Sequence, residues 1–254
     1  MRKLLILFML VCSPAWAGID VDGTDDFASC GNAETLQENA AITISAWINP
    51  DTDHIGSIVS RRNDPAGGNV RFAVSSTVAK SLRFSVAGGV QLEQVSVANS
   101  ITTGAWQHVL VTWTGSTTAS NAYLYVNGTE VTYATTTNGS SLIDNTGGVL
   151  RIGNTYPTFN YFNGKITEVA IWSEVLDSHE IEKLALSRTK RIPLQIRPST
   201  LIGYWPIDNL ADGAAAHAGT FINYKAPGTH DCTGDDGANN TGMTALAEAV
   251  LSYP

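Results

Sequence analysis

Four aspartates crowd one short stretch, Asp20, Asp22, Asp25 and Asp26, with Gly23 among them. Calcium takes six to eight oxygen ligands, carboxylate and carbonyl mixed, and such a loop could supply several. Asp22 and Asp25 are therefore candidate ligands, although aspartate also gathers in turns because it tolerates their geometry. Asp231, Asp235 and Asp236 form a looser group without the regular spacing of a calcium loop. A second chemistry is written in Asn154-Thr155-Tyr156-Pro157-Thr158-Phe159-Asn160-Tyr161. Sugar rings have apolar faces and hydroxyl rims, so aromatic platforms beside amides suit them. Tyr156, Phe159, Asn160 and Tyr161 are candidate ligand contacts. Arg61, Arg62, Asn63 and Asp64 make another polar loop, from which Arg61 and Asn63 join them.

Catalysis is harder to read from these residues. Glycoside hydrolysis needs two carboxyl groups about 5–9.5 Å apart. A single strand provides that at i, i+2 or i+4, and no strand here does; a pair drawn from two strands stays open. Glu93 and Glu168 stand singly, and Asp177, Glu180 and Glu182 sit at a helix start. None of the 5 histidines belongs to a Ser or Cys motif of the triad kind. The expectation is a protein that binds without catalysing.

The chain's beginning sets the compartment. Arg2 and Lys3 precede an apolar run from Leu4 to Cys12, and Ala15-Trp16-Ala17 is a small-x-small cleavage site. That pattern predicts a leader over 1–17, with the mature chain starting at Gly18. The run is far short of the ~20 residues a membrane span needs. Without the leader, 13 basic and 23 acidic residues remain, a balance of −10. An acidic surface argues against a nucleic-acid partner, which needs a basic face. Cys30 and Cys232 are the cysteines left, and in an oxidising compartment they read as one disulfide; two free thiols are the alternative. The protein is expected to be secreted, extracellular or periplasmic.

The elements that must position these residues are strands. Ile42, Ile44, Ala46 and Ile48 alternate with Thr43, Ser45 and Trp47. The same period of 2 recurs in Val70-Phe72-Val74, Leu82-Phe84-Val86, Val109-Val111-Trp113 and Ala122-Leu124-Val126. Short alternating runs with polar turns predict an all-β fold, a two-sheet antiparallel sandwich or jelly roll. Asn127-Gly128 predicts a two-residue type I′ hairpin. Asp177 with Glu180 three residues on resembles a capping box, so one short helix is expected over about Ser178 to Ser187. Ser187 to Pro198, broken by Pro193 and Pro198, reads as a solvated connector. The tail reads as irregular up to a short helical run near Thr244 to Leu251.

Several phrases occur together in one order. They are Ile44-Ser45-Ala46-Trp47-Ile48-Asn49-Pro50, Trp106-Gln107-His108-Val109, Val111-Thr112-Trp113-Thr114-Gly115, Leu124-Tyr125-Val126-Asn127-Gly128 and Phe162-Asn163-Gly164-Lys165-Ile166-Thr167-Glu168-Val169. With Ile171-Trp172 leading into the capped helix, the chain resembles the laminin-G-like jelly rolls of the concanavalin A-like lectin/glucanase superfamily. The resemblance implies two stacked antiparallel sheets, one with a concave face, and a possible calcium ion. It adds Glu168 to Asp22 and Asp25 as a metal ligand, because an acidic pair is common where this chain has Thr167-Glu168. The expected organisation is a leader over 1–17, a jelly-roll domain over 18–187, a linker over 188–199 and a C-terminal segment over 200–254. In that last segment the strand over 200–207 is expected to dock on the sandwich, although in many such domains its counterpart comes first. The expected partner is a glycan or an extracellular protein. The two functional readings are a glycan-binding module and an adhesive structural protein, with a polysaccharide-degrading enzyme behind them.

Overall fold

The structure is a computed structural model, and it describes residues 15–32, 40–63, 67–75, 77–143, 146–157, 159–186, 191–208, 216, 219–235 and 243–250. The expected leader up to Pro14, Asp64, Asp236 and the Arg188–Lys190 start of the expected linker lie outside the described residues.

Strands dominate. In chain order they are β1 (Ala15–Asp22), β2 (Phe27–Asn32), β3 (Ile42–Pro50), β4 (Gly56–Arg62), β5 (Asn69–Ser75), β6 (Ser81–Val86) and β7 (Gly88–Val90). There follow β8 (Leu92–Ser96), β9 (Gln107–Trp113), β10 (Ala122–Val126), β11 (Thr129–Glu130), β12 (Tyr133–Thr137), β13 (Ser140–Leu142) and β14 (Val149–Ile152). The last are β15 (Asn163–Trp172), β16 (Leu201–Trp205), β17 (Thr220–Phe221), β18 (Cys232–Asp235) and β19 (Thr244–Val250). Among the described residues there is one α-helix, α1 (Ser178–Leu186), between β15 and β16.

The strands form two large antiparallel sheets. The first runs β11-β10-β9-β3-β15-β1-β19, with β16 beside β15, and the second runs β12-β8-β6-β5-β4-β14-β2-β18-β17. A small pair, β7 with β13, stands apart. The alternating residues read from the sequence face each other across the gap. Ile44, Ile48, Val109, Val111 and Trp113 come from the first sheet, and Phe72, Val74, Phe84 and Leu150 from the second. Each such buried aliphatic or aromatic side chain contributes about 1.5–3 kcal/mol over its exposed state. The sandwich of jelly-roll type is thus built by the period-2 pattern itself.

The β10–β11 hairpin turns through Asn127 and Gly128 with φ of 49° and 80°, the left-handed pair a type I′ turn requires. Helix α1 is capped reciprocally. The Asp177 amide donates to Glu180 Oε2 (2.8 Å), and the Glu180 amide donates to Asp177 Oδ1 (3.0 Å). Arg197 then donates Nε to Glu180 (2.7 Å) and pairs with Glu174 and Asp177, which pins the chain after the helix back onto its start.

A second core lies on the far side of the first sheet. Leu110, Ala170, Trp172, Leu201 and Tyr204 face Leu176, Ile181 and Leu184 there. Ile192 and Ile196 complete it, so this part of the expected connector covers core instead of lying in solvent. One 3-10 turn, Ile192–Gln195, carries it over the sheet.

The C-terminal part joins both sheets. β16 takes the second half of one edge of β15, Val169 opposite Trp205, while β1 holds the first half of the same edge, Ile19 opposite Ile166. β18 pairs with β2 and β17 with β18. The expected helical run from Thr244 is instead strand β19, paired with β1. Alanine-rich propensity favours helix there, but the open edge of β1 offers ladder hydrogen bonds, and tertiary pairing overrides a weak local preference. Gly18 to Asp20 of β1 pair with β19, and Ile19 to Asp22 pair with β15. Both sets lie beyond the expected cleavage point, whereas Ala15 and Trp16, inside the expected leader, pair with Val250 and Ala249 of β19. The disulfide Cys30–Cys232 links β2 to β18 across 202 residues of sequence.

Candidate functional site

The helix and the Ile192–Ile196 segment cover the outer face of the first sheet. The outer face of the second sheet carries polar side chains between the apolar ones read above. Register aligns Ser29 of β2, Arg151 of β14, Ser60 of β4, Arg71 of β5, Ser85 of β6, Glu93 of β8 and Thr137 of β12 in one row across it. In the next row Ala73 lies opposite Arg83. Arg83 Nε lies 2.7 Å from Glu93 Oε1.

The aromatic loop after β14 folds back over this face. Thr155 and Phe159 exchange backbone hydrogen bonds (2.8 and 3.0 Å), closing a tight loop with a cis Tyr156–Pro157 bond. Ser60 Oγ donates to the Asn154 carbonyl (2.7 Å), and Ser57 and Thr155 share a hydroxyl bond (2.7 Å). Arg151 fastens the loop further. Its guanidinium lies 4.0 Å from the Phe27 ring centroid and 4.6 Å from that of Tyr156, and it donates to the Pro157 carbonyl (2.7 Å). Burial lowers the Arg151 pKa, against the pull of Tyr161, Asp235 and Tyr156.

The candidate contacts are distributed as follows. Tyr156 lies on Arg151, and Phe159 is 51% exposed with Arg62 5.7 Å from its ring centre. Asn160 gives its carbonyl to the Ser57 amide, and Tyr161 gives its carbonyl to His54. Burial raises the Tyr161 phenol, while Asn154 and Arg151 draw it back. These four residues are therefore gathered on one face with Arg62 and Arg151. Arg61 is a correction. It lies opposite Val70 and Leu150, is 2% exposed, and points into the sandwich, because strand alternation turns Arg62 outward and Arg61 inward. Asn63 holds the β4–β5 turn, accepting the Gly67 amide and donating its side-chain amide to the Thr146 carbonyl.

Asp22, Asp25 and Asp26 bring one carboxylate oxygen each within 4.8 Å of one another. Oxygens 2.3–2.6 Å from a shared Ca2+ lie at most about 5 Å apart, so the donor set fits that ion. The turn also uses these groups: the Asp22 amide donates to Asp26, and the Thr24 amide to Asp22. Glu168 is a second correction. Asp22 lies opposite Asn163, and Glu168 is five residues further along β15, about 16 Å at strand rise. It is 4% exposed and accepts the Tyr204 hydroxyl (2.6 Å) beside the second core. Its φ of 52° and the register shift there mark the point where the β15 edge passes from β1 to β16. Asp231 caps a turn, accepting the Asn223 and Gly228 amides.

Arg62, Arg71, Arg83 and Arg151 were not among the sequence candidates. Their signal was nonetheless present: Arg71 and Arg83 occupy the alternate positions in Val70-Phe72-Val74 and Leu82-Phe84-Val86, whose apolar members face the core.

Residues 22–182 match a laminin-G family of the concanavalin A-like lectin/glucanases superfamily, and the chain belongs to that family. Among curated proteins none matches the chain. Solved structures share the fold. One is a Bacteroides ovatus protein provisionally named a carbohydrate binding protein (17% identity, TM-score 0.58), covering 95% of this chain; this chain spans 62% of that one. Another is a heptameric SAP-like pentraxin from Limulus polyphemus (15% identity, TM-score 0.51), over 94% of this chain and 98% of that one. A third is the CBM40 of a Ruminococcus gnavus sialidase (12% identity, TM-score 0.51), over 68% of this chain and 98% of that one.

Proposed function

We propose that the protein is a secreted, non-catalytic module that binds carbohydrate on the outer face of the second sheet. The observation that carries this reading is Phe159, a half-exposed ring beside Arg62 on a polar face, in the same loop as Tyr156, which lies on Arg151. An exposed aromatic stacks on the apolar face of a sugar, and the serine and arginine rows below offer hydrogen bonds to its hydroxyls. The lectin-containing family and a similar fold in a provisional carbohydrate binding protein agree with it. Two acids of the sheets are committed elsewhere: Glu93 is paired with Arg83, and Glu168 with Tyr204. Calcium is proposed as a bound ion at Asp22, Asp25 and Asp26, where it would stiffen the β1–β2 turn. The disulfide suits an oxidising compartment, and no helix among the described residues is long and apolar enough to cross a membrane.

The test is glycan-array binding of the protein, in calcium and in EDTA. Binding that falls at least tenfold in Phe159→Ala, at unchanged melting temperature, is the expected result. An array silent under both conditions would sink the proposal.

A further inference from the structure

We propose that this face selects a sugar bearing a carboxylate, with Arg71 receiving it and Arg83 flanking it. The inference rests on the reading that the face binds carbohydrate, and it names the class of sugar.

Charge is the first argument. The chain as a whole carries −8, yet the described residues of this face gather Arg62, Arg71, Arg83 and Arg151 around Glu93 and Asp235, with Asp25 acting on Tyr161 at its rim. Such a local inversion of sign attracts an anion that the rest of the surface repels.

The pairing within the face is the second argument. Arg151 is held by two rings and a carbonyl, and Arg83 by Glu93. Arg71 stands between the rows. It is 8% exposed, its Nε, like those of Arg62 and Arg151, has no hydrogen-bond partner among the described residues, and Ser60 and Ser85 flank it on the neighbouring strands. Burial and the neighbouring Arg83 push its pKa down to about 10, against the pull of Glu93. Two guanidiniums thus share one carboxylate. A buried cation short of a counter-charge is costly, and a ligand that brings one recovers that cost on binding.

Ligand chemistry is the third. A guanidinium is a planar fork that matches two carboxylate oxygens, and Glu93 shows that this face already seats a carboxylate on such a group. Arg71 is about two strand spacings, roughly 10 Å, from Arg151 and its aromatic loop. That separation suits a sugar whose ring lies toward Tyr156 and Phe159 while an acidic substituent, or the next acidic residue, reaches Arg71.

The experiment is titration calorimetry of the protein against a panel of uronic- and ulosonic-acid oligosaccharides, each with its methyl ester, and against sulfated oligosaccharides. A free acid is expected to bind at least tenfold more tightly than its neutral ester, with the preference shrinking as salt rises. Arg71→Gln should abolish the preference, bringing acid and ester to equal affinity. Glu93→Gln, which removes the internal competitor, should strengthen binding of the acid, so the proposal remains open to refutation if Arg71→Gln does not fold. Equal affinity for acid and ester overturns the inference while leaving carbohydrate binding intact. Preference for the sulfated sugars also overturns it. If no sugar of any kind binds, the underlying reading falls with it.

Discussion

His108 shows how far a side chain's character depends on its surroundings. The imidazole is 1% exposed, its Nε2 lies 2.8 Å from Ser45 Oγ, and the Trp47 ring packs beside it. Burial alone pushes its pKa down to about 3. The histidine is therefore neutral when folded but titrates near 6.5 when unfolded. Below 6.5 the unfolded chain binds the extra proton, so this group's stabilisation is whole above that pH and drains away as pH falls toward 3. Melting curves between pH 7 and 4 should show a loss of up to about 1.4 kcal/mol per pH unit from this residue. His108→Gln should flatten that slope. An identical slope in the variant would show that carboxylates alone set the acid sensitivity. A serine beside a histidine is the start of a hydrolase pattern on paper, yet here both lie inside the protein. Spacing in the sequence could not show that, because Ser45 and His108 meet only through the β3–β9 register. Arg61 and Arg62 make the same point: one residue of alternation separates a core side chain from a surface one.

At the scale of elements, the devices written in adjacent residues were legible. The Asn127-Gly128 turn, the Asp177/Glu180 box and the alternating strands all formed where short-range chemistry requires them. The box is testable. Asp177→Ala removes the acceptor of the Glu180 amide and one arm of the Arg197 clamp, and should cost about 1 kcal/mol in urea unfolding. Because α1 roofs the second core over the first sheet, the loss should register in the single global transition. A separate early transition would mean that the helix is not coupled to the sandwich. The run from Thr244 departs from its sequence expectation for the opposite reason. Its local pattern suits a helix, and only the edge of β1, more than two hundred residues away, makes it a strand. The metal set divided along the same line: Asp22, Asp25 and Asp26 are neighbours in one turn, whereas Glu168 was placed by its position in β15 and went to Tyr204.

At the scale of the molecule, the first and last strands hold one another. Without β18 and β19, strands β1 and β2 would each present an open edge, and such edges invite pairing with other chains. The Cys30–Cys232 bond fastens this closure across nearly the whole chain. Replacing both cysteines by serine should lower unfolding free energy by about 2–5 kcal/mol. Dithiothreitol should lower the wild-type melting temperature and leave the serine variant untouched; equal effects on both would discount the bond. The two-sheet class, the turn and cap positions and the aromatic loop are readable from the residues alone, since each follows from residue types within a few positions of one another. The pairing of β16 and β19, the outward turn of Arg62 and inward turn of Arg61, and the meeting of four arginines from four strands on one face come from the folded sheets. Those outcomes depend on register between segments far apart in the chain, and register is a property of the packed sheets that no local stretch of residues contains.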